Sequence, residues 1–336
     1  MTEKVTLRHI AERANASVNT VSKALRDHPQ ISEKRKAKIR SLAEEMGYIP
    51  NAAARFLRKR KTNLVGLIVG DNTNPYFATT MKVVQAKLKE NGYYTLTFNN
   101  YENVDDEMGF ILELCGLNVA GVLLTPAASN ARSAEILRNY HIPYVLMHRF
   151  YNKNEDNYVV ADDEQAGYLA ANQLLLRRPE PILIINYIRD MTTTRSRQMG
   201  FERALRERGI AQDESLVKYN CMDKGHSYAA MRDFLQNSPT PHSVVCYSDY
   251  LAMGVIAAIH ERGLKLPEDV AVMGIDNTDE LLNNGYGLSS VSLPIQDISE
   301  KSVDLLLKLI EQQKKELILP PQQIVLPPTL ALRTTA

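Results

Sequence analysis

Residues 6–25 read TLRHIAERANASVNTVSKAL, and this stretch decides how the amino-terminal part of the chain folds. The apolar residues of its first half follow the i, i+3, i+4, i+7 spacing of one helix face: Leu7, Ile10, Ala11 and Ala14. Thr6 precedes them in the position of an N-cap. The spacing therefore predicts a short amphipathic helix that begins after Thr6.

A second helix is expected directly after the first. Ser17 is placed to cap it, and its apolar face is predicted to comprise Val18, Val21 and Leu25. Only Asn15 and Ala16 turn the chain between the helices, and Asn tolerates the left-handed backbone that a tight turn often needs. Two helices joined by a turn of about three to four residues are typical of a helix-turn-helix, whose second helix lies in the major groove of DNA.

A third helix completes a small all-α domain, predicted to span residues 1–49. It begins at the Ser32 cap, and Gly47 and Pro50 end it. One face of this helix is apolar: Ile39, Leu42, Ala43 and Met46. A three-helix domain of this kind fits either DNA binding or a bundle that contacts other proteins.

The distribution of charge favours DNA. Residues 1–61 carry 15 Lys and Arg against 6 Asp and Glu, a net charge of +9. The other 275 residues carry 25 against 33, a net charge of −8. Because a basic module attracts a polyanion, we expect double-stranded DNA to be the partner of the small domain.

The second helix supplies polar side chains that can read base edges. Asn19 can form a bidentate contact with adenine, and Lys23 can donate to guanine. Residues 50–61 are predicted to form a hinge, with a short helix that Asn51 caps and that is marginal in water by itself. The predicted DNA contacts of the helical domain are Thr6, Ser17, Val18, Asn19, Thr20, Ser22 and Lys23.

Residues 62–336 alternate short apolar runs with amphipathic stretches, which predicts two doubly wound parallel-sheet lobes. The first series is NLVGLIVG, YTLTFN, AGVLLTP, PYVLMH and YVVAD; the second is PILIIN, LVKYN, SVVCYS and VAVMGID. Polar residues follow these runs, and ligands bind beyond the carboxyl ends of such strands. We expect an N-lobe of about 62–161 plus 292–320 and a C-lobe of about 162–291 plus 321–336, with a cleft between them.

The chain resembles the LacI/GalR family of bacterial transcription regulators. The resemblance begins with VTLRHIAERANASVNTVSKAL and ISEKRKAKIRSLAEEMGYIPN and continues through NPYF, DDEQAG, RSRQMGF, SDYLAMGV and GIDNT in the larger part. Asn15 stands where the family commonly has Gly, and Lys23 stands where it commonly has Arg. The resemblance implies a core akin to periplasmic sugar-binding proteins and a dimer. It also implies that the hinge contacts DNA through Asn51, Ala54, Leu57 and Arg58, with Leu57 as a wedge that opens a base step in the minor groove.

The resemblance also implies an effector site. Arg197 and Asp276 are the first candidates, followed by Tyr76, Phe77 and Ser248. Arg supplies forked donors, Asp accepts from adjacent hydroxyls, and aromatic rings stack on apolar faces. From chemistry alone, a surface salt bridge fits Arg197 and a helix N-cap fits Asp276 equally well, and Asp249 is expected to cap the helix that follows it.

Other classes of protein find little support in the sequence. It contains no GxGxxG, P-loop, GxSxG or CxxC motif, and its three cysteines and seven histidines form no metal-ligand spacing, so we expect no enzyme, cofactor or metal. No secretion signal or membrane span is recognisable, which predicts a cytoplasmic protein. The sequence thus predicts a repressor that binds a palindromic operator as a homodimer under control of a sugar or sugar derivative. The alternative is a sugar-binding protein without direct DNA regulation.

Overall fold

A computed structural model describes residues 5–49, 62–127, 131–151, 155–177, 181–278, 287–317 and 320–336. The chain divides into two compact units, Met1–Arg60 and Lys61–Ala336. Each unit buries an apolar core of its own.

The small unit contains the three predicted helices: α1 (Leu7–Arg13), α2 (Val18–Ala24) and α3 (Glu33–Glu45). Asn15 lies in the turn between α1 and α2 with a φ of 47°, so the expected left-handed turn residue is confirmed. The core of the unit is assembled from all three helices: Ile10, Ala11, Val21, Ala24, Ile39 and Ala43. Because this core is small, each helix depends on the other two for burial of its apolar face.

The large unit contains two α/β lobes, as the sequence predicted. The N-lobe comprises β1 (Leu64–Val69), α4 (Pro75–Glu90), β2 (Tyr94–Asn99), α5 (Val104–Gly116), β3 (Gly121–Leu124), α6 (Arg132–Asn139), β4 (Tyr144–Met147), β5 (Tyr158–Ala161), α11 (Ile295–Lys314) and β11 (Gln323–Leu326). The C-lobe comprises α7 (Asp163–Arg177), β6 (Ile182–Ile185), α8 (Thr192–Arg206), a 3₁₀ turn (Glu214–Leu216), β7 (Val217–Lys218), α9 (Lys224–Asn237), β8 (Ser243–Cys246), α10 (Asp249–Glu261), β9 (Ala271–Asp276), β10 (Ser289–Ser292) and β12 (Thr329–Ala331).

Each lobe is built on a six-stranded sheet. The N-lobe sheet has the strand order β11-β5-β4-β3-β1-β2 with every pair parallel. The C-lobe sheet has the order β12-β10-β9-β8-β6-β7, in which only the edge pair β10–β12 is antiparallel. Helices cover the sheets, so the central strands are buried and read as continuous apolar runs. Parallel strands also place all their carboxyl ends at one edge of each sheet.

Over the described residues, the chain passes between the lobes at three places. Two of these passages lie between β5 and α7 and between β10 and α11. The last passage was expected near residue 321, but β11 still pairs with β5, with Ile324 opposite Val159. The chain therefore crosses between Leu326 and Thr329. Strand β11 belongs to the N-lobe because it pairs with β5 at the edge of the N-lobe sheet.

Two glycines bring α7 and α8 into close contact within the C-lobe. A Cβ atom on Gly167 would lie 2.1 Å from the backbone oxygen of Arg197, and one on Gly200 would lie 2.1 Å from that of Glu164. The helices therefore cross backbone to backbone. This close contact fixes the position of α8 relative to α7, and with it the position of Arg197 on α8.

We expect Gly167→Ala to lower the free energy of unfolding by about 1–3 kcal/mol or more, because the new methyl group must push the two helix backbones apart. Equilibrium unfolding in urea measures the change. Gly109→Ala is the matched control, since Gly109 lies within α5 and a Cβ atom there would meet nothing within 4 Å beyond the backbone of its own helix. That variant should be stabilised by roughly 0.5–1 kcal/mol. Equal effects at the two positions would contradict the role of the crossing.

Candidate functional site

The first candidate site is helix α2 of the small unit. Ser17 caps the helix as predicted: its Oγ accepts a hydrogen bond from the backbone N of Thr20 at 3.1 Å. Ser17, Val18 and Asn19 are exposed at the start of the helix, and Thr6 is exposed at the start of α1. Lys23 is half-buried, and its Nζ donates to Gln30 Oε1 at 2.7 Å. The first turn of α2 thus offers small polar side chains to solvent, as a recognition helix requires.

Two expectations for α2 need correction. Val18 was placed on the apolar face, but it is 43% exposed, because Val21 and Ala24 already fill the core beneath the helix. An exposed Val can instead contact a thymine methyl group. Ser22 is buried, and its hydroxyl accepts a hydrogen bond from Arg26 Nη2 at 2.9 Å, which leaves it less available to DNA than predicted. The predicted hinge contacts Asn51, Ala54, Leu57 and Arg58 lie outside the described residues.

The second candidate site is a cavity of about 240 Å³ between the two lobes. All five residues predicted to bind an effector line it: Tyr76, Phe77, Arg197, Ser248 and Asp276. Further aromatic and charged residues line it as well: Asp71, Tyr101, Glu102, His148, Arg149, Asp163, Tyr187, Asp223, Tyr247 and Tyr250. The carboxyl ends of β1, β4, β8 and β9 lead to residues of both sets, which is the position expected for a ligand site in parallel sheets.

Arg197 is the centre of the charged part of the cavity. Its Nε donates to Asp163 Oδ1 at 2.8 Å, and its Nη1 donates to the backbone oxygen of Tyr247. Asp276 Oδ1 lies 4.0 Å from Nη2. The Arg197 side chain is only 5% exposed, so a surface salt bridge is excluded as its role. Burial raises the pKa of Asp276 well above its ordinary value, although Arg197 opposes this effect.

The backbone that presents Asp276 is strained. Asp276 ends β9 with a φ of 125°, and Asn277 follows with a φ of 56°. Residues in such sparsely populated conformations persist only where their surroundings hold them, and they concentrate at ligand sites. Asp276 is the last residue of β9, and it lines the cavity. A helix that it would cap falls on residues 279–286, which lie outside the described residues.

Asp249 is one of the groups that hold this turn. It is fully buried in α10, where Ser290 Oγ donates to its Oδ1 at 2.6 Å and the backbone N of Thr278 donates to its Oδ2 at 3.3 Å. Ser248 is the residue that caps α10, through an acceptor bond from the backbone N of Leu251 at 3.2 Å. The expectation that Asp249 caps the helix was wrong, because its carboxylate points back to the turn after β9. Burial raises the pKa of Asp249 to about 6.

His148 fixes the phenol of Tyr76. The Tyr76 hydroxyl lies 2.6 Å from His148 Nδ1, and Thr80 Oγ1 lies 3.1 Å from Nε2. Thr80 Oγ1 already donates to the backbone oxygen of Tyr76 at 3.1 Å, so it accepts from Nε2–H and Tyr76 donates to Nδ1. Burial, with the nearby charges of Arg149 and Arg197, lowers the pKa of His148 to about 3. The imidazole is therefore neutral, and Tyr76 offers the cavity its ring more than its hydroxyl.

Arg149 and Glu102 form a second buried ion pair at the cavity. The Arg149 Nη1 donates to Glu102 Oε2 at 2.7 Å, and Nη2 donates to Oε1 at 3.0 Å. Tyr187, from the other lobe, donates its hydroxyl to Glu102 Oε1 at 3.1 Å. Arg149 directly follows the run PYVLMH, where polar residues were expected, whereas Glu102 and Tyr187 belong to none of the quoted runs or motifs. Asp162, in contrast, caps α7 by accepting from the backbone N of Gln165 at 2.9 Å.

None of the helices in the described ranges combines the length and the low polarity that a bilayer span requires. Over the same ranges, no three or more His, Cys, Asp or Glu side chains gather as metal ligands would.

A helix-turn-helix unit followed by two sheet lobes around a polar cleft defines a DNA-binding regulator with a core of the periplasmic-binding-protein type. Comparison with known proteins agrees. Residues 6–51 match the model for bacterial regulatory proteins of the lacI family, and residues 159–336 match the periplasmic binding protein-like domain. The chain belongs to the lacI family of bacterial transcription regulators, and it is accordingly not an enzyme.

Individual relatives extend over nearly the whole chain. The HTH-type transcriptional repressor PurR of Pectobacterium carotovorum is 28% identical over 313 residues, which cover 93% of this chain and 92% of the relative. The structure of the transcriptional regulator CelR in complex with cellobiose is 25% identical with a TM-score of 0.75, over 99% of this chain and 100% of CelR. The lac repressor dimer bound to operator and the anti-inducer ONPF has a TM-score of 0.85 at 20% identity, over 99% of each chain, which shows the shared fold.

The depressed pKa of His148 has a consequence for stability. The ordinary value is 6.5, so the unfolded chain takes up a proton below that pH while the folded protein resists it down to about pH 3. The stability that neutral His148 contributes is complete above pH 6.5 and is lost as the pH falls. We expect the wild type to lose roughly 1–2 kcal/mol relative to His148→Gln between about pH 6.5 and 5. Urea unfolding of both proteins across this range measures the difference, and a difference that does not vary with pH would refute it.

Proposed function

We propose that this chain is a transcriptional repressor that binds a palindromic operator as a homodimer, and that a sugar or sugar derivative in the interlobe cleft sets its affinity for DNA. The observation that carries the proposal is the convergence of Tyr76, Phe77, Arg197, Ser248 and Asp276 on one cavity, in a chain that also contains a helix-turn-helix. The Pectobacterium relative is named a repressor, which supports the sign of regulation.

A dimer follows from the size of the DNA-binding unit. A single small module buries too little surface for operator-level affinity, whereas two modules related by a two-fold axis read two half-sites of a palindrome. The small unit that would read each half-site has only three described helices. Sedimentation of the intact chain at micromolar concentration tests this part of the proposal.

The chemistry of the cleft suits a sugar. Aromatic side chains from both lobes provide apolar faces, and Asp71 and Asp276 provide carboxylate acceptors for adjacent hydroxyls. The cavity volume of about 240 Å³ lies just below the roughly 300–1,000 Å³ of typical small-molecule sites, which suits a ligand as small as a monosaccharide. The cellobiose held by CelR supports a sugar in a core of this kind.

The switch requires that the effector favour one arrangement of the lobes over another. Strand β1 starts directly after the linker to the DNA-binding unit, and Asp71 at its carboxyl end lines the cleft. Closure of the lobes on a ligand would thus displace the strand that leads to the linker. A coupling of about 1–3 kcal/mol is enough to change DNA affinity severalfold or more.

The experiment that tests the function combines gel shift and ligand screening. The intact chain is expected to retard a subset of genomic DNA fragments, and a thermal-shift panel of sugars, sugar phosphates, nucleosides and nucleobases is expected to yield a ligand that changes this retardation. Binding of a sugar without any retardation of DNA would favour the alternative, a sugar-binding protein without direct DNA regulation. Binding of a nucleobase in place of a sugar would refute the effector class.

We expect Asp276→Asn to weaken binding of the sugar identified in this way by about tenfold or more, because the amide replaces one acceptor oxygen with a donor, and leaving a buried partner unsatisfied costs roughly 1–3 kcal/mol. Calorimetry measures the affinity, and gel shift without ligand checks the DNA-binding unit. Asp105→Asn, on the exposed first turn of α5, is the matched control. Arg197→Ala is unsuitable, because it would leave two buried carboxylates without their partner, at a cost of about 3–5 kcal/mol. Equal affinities of Asp276→Asn and the control would exclude Asp276 from the site.

Base readout by α2 gives a separate test. We expect Lys23→Ala to cost about 1–3 kcal/mol on the operator and to relax the preference at one base pair of each half-site, since a specific donor is removed. Gel shift with operators altered at single positions measures both effects. A uniform loss on specific and non-specific DNA would show that Lys23 contacts phosphate instead.

A further inference from the structure

The two guanidinium groups that line the cleft are already neutralised. Arg149 and Glu102 form a bidentate pair in which both side chains are less than a tenth exposed. Arg197 pairs with Asp163 and has Asp276 at 4.0 Å as a second acidic neighbour. A guanidinium whose charge is matched in this way has no free charge to offer an anionic ligand.

The remaining charge of the cleft is negative. Among the described residues that line it, five carboxyl groups accompany two guanidinium groups: Asp71, Glu102, Asp163, Asp223 and Asp276 against Arg149 and Arg197. His148 adds no positive charge, because it is neutral above about pH 3. An anion placed here would meet like charges at short range in a partly dry site, where repulsion is weakly screened.

Helix N-termini are the other common sites for anions, and most of those at the cleft are occupied. Asn74 at the start of α4 accepts from the backbone N of Tyr76 at 3.0 Å. Asp223 at the start of α9 accepts from the backbone N of His226 at 2.9 Å, and Ser248 caps α10. Helix α8 has no side-chain cap, so a phosphate probe must be tried on the wild type as well.

Hydrogen bonds with two other residues hold Glu102 and its turn in place. It lies in a turn where Tyr101 and Glu102 both have positive φ, 45° and 60°. Asn100 Oδ1 accepts from the backbone N of Glu102 at 3.1 Å, and Asn100 Nδ2 donates to the buried Glu107 at 3.0 Å. The Tyr187 hydroxyl adds a contact from the other lobe. This strained turn holds the Glu102 carboxylate against the Arg149 guanidinium.

We propose that Glu102 determines the charge selectivity of the cleft: by cancelling Arg149 it restricts the effector to sugars without an anionic group and excludes sugar phosphates and sugar acids. The inference rests on the proposed function, in which the cleft holds a sugar. An uncharged sugar needs only the acceptors and rings already present, and an amino sugar would gain from the excess of carboxylates. A phosphorylated sugar would need a free cation that the described lining does not offer.

The test uses inorganic phosphate as the probe and four full-length proteins: wild type, Glu102→Gln, Glu102→Gln/Arg149→Met, and the control Glu135→Gln, which alters an exposed glutamate of α6. Melting temperatures are measured in increasing phosphate against chloride at equal ionic strength, so that weak binding to the basic DNA-binding unit is common to all four. A ligand that binds only the folded state raises the melting temperature in a saturable way.

We expect phosphate, but not chloride, to raise the melting temperature of Glu102→Gln alone in a saturable way. Only in this variant does the Arg149 guanidinium remain without its carboxylate partner. The double variant and Glu135→Gln should behave as the wild type does. The proposal is overturned if Glu102→Gln gains no response to phosphate, if the double variant retains the gain, or if the wild type itself shows a response that the double variant lacks.

A second measurement applies even if Glu102→Gln does not fold. Calorimetry on the wild type compares the sugar found in the screen with its own phosphate and acid derivatives, and we expect both to bind at least about tenfold more weakly than the parent. A phosphate or acid that binds more tightly than its parent sugar would overturn the charge selectivity while leaving the proposed regulator intact. Failure of every small molecule to alter DNA binding would instead contradict the proposed function.

Discussion

The buried guanidinium of Arg197 ties together the parts of the C-lobe that face the cleft. It bonds to Asp163 at the start of α7, to the backbone oxygen of Tyr247 after β8, and lies over the Tyr247 ring at 4.3 Å. Asp276 at the end of β9 is its second acidic neighbour. A charge buried this deeply is tolerated only with such partners, so the positions of these elements depend on one another. The glycine crossing of α7 and α8 allows the group to reach them.

The same arrangement explains why the cleft has its chemical character. Parallel strands deliver their carboxyl ends to one edge, and polar residues placed just after those ends converge without any local signal. Each lobe contributes one matched ion pair, Arg149 with Glu102 and Arg197 with Asp163. A neutral molecule can replace water in the cleft without breaking either ion pair, whereas an ion would compete with the partners in both pairs. The cleft is therefore polar, but the guanidinium groups among its described residues are already paired with carboxylates.

The DNA-binding unit follows a different physical logic. In the described part of this unit the apolar core contains six buried residues from three helices, and the stability of the unit depends on that small cluster and on caps such as Ser17. The larger unit buries far more apolar surface and can hold strained residues such as Asp276 and Glu102. Strain is thus found where the structure is best able to support it, next to the candidate ligand site.

Local sequence determined the elements whose pattern is self-contained. Helical spacing and caps predict α1, α2 and α3, and apolar runs predict β1 to β9, because strands packed against helices are rich in apolar and β-branched residues. Apolar patterning does not predict β10, because this buried strand consists mostly of serines. Their hydroxyls are satisfied by distant residues, as in the hydrogen bond from Ser290 to Asp249. Strand β11 was assigned to the wrong lobe, because an edge strand can pair with either sheet by composition alone.

For the cleft, family motifs located Arg197 and Asp276, but only the tertiary structure joined Glu102 to Arg149 and Tyr187. Pairs separated by many residues in the chain leave no periodic signal, and a carboxylate in a loop looks the same whether it faces solvent or a guanidinium. The sequence by itself determined the kind of protein, through spacing and charge that act locally. The tertiary structure decided which charges cancel, because charge pairing depends on distances that only the packed fold sets.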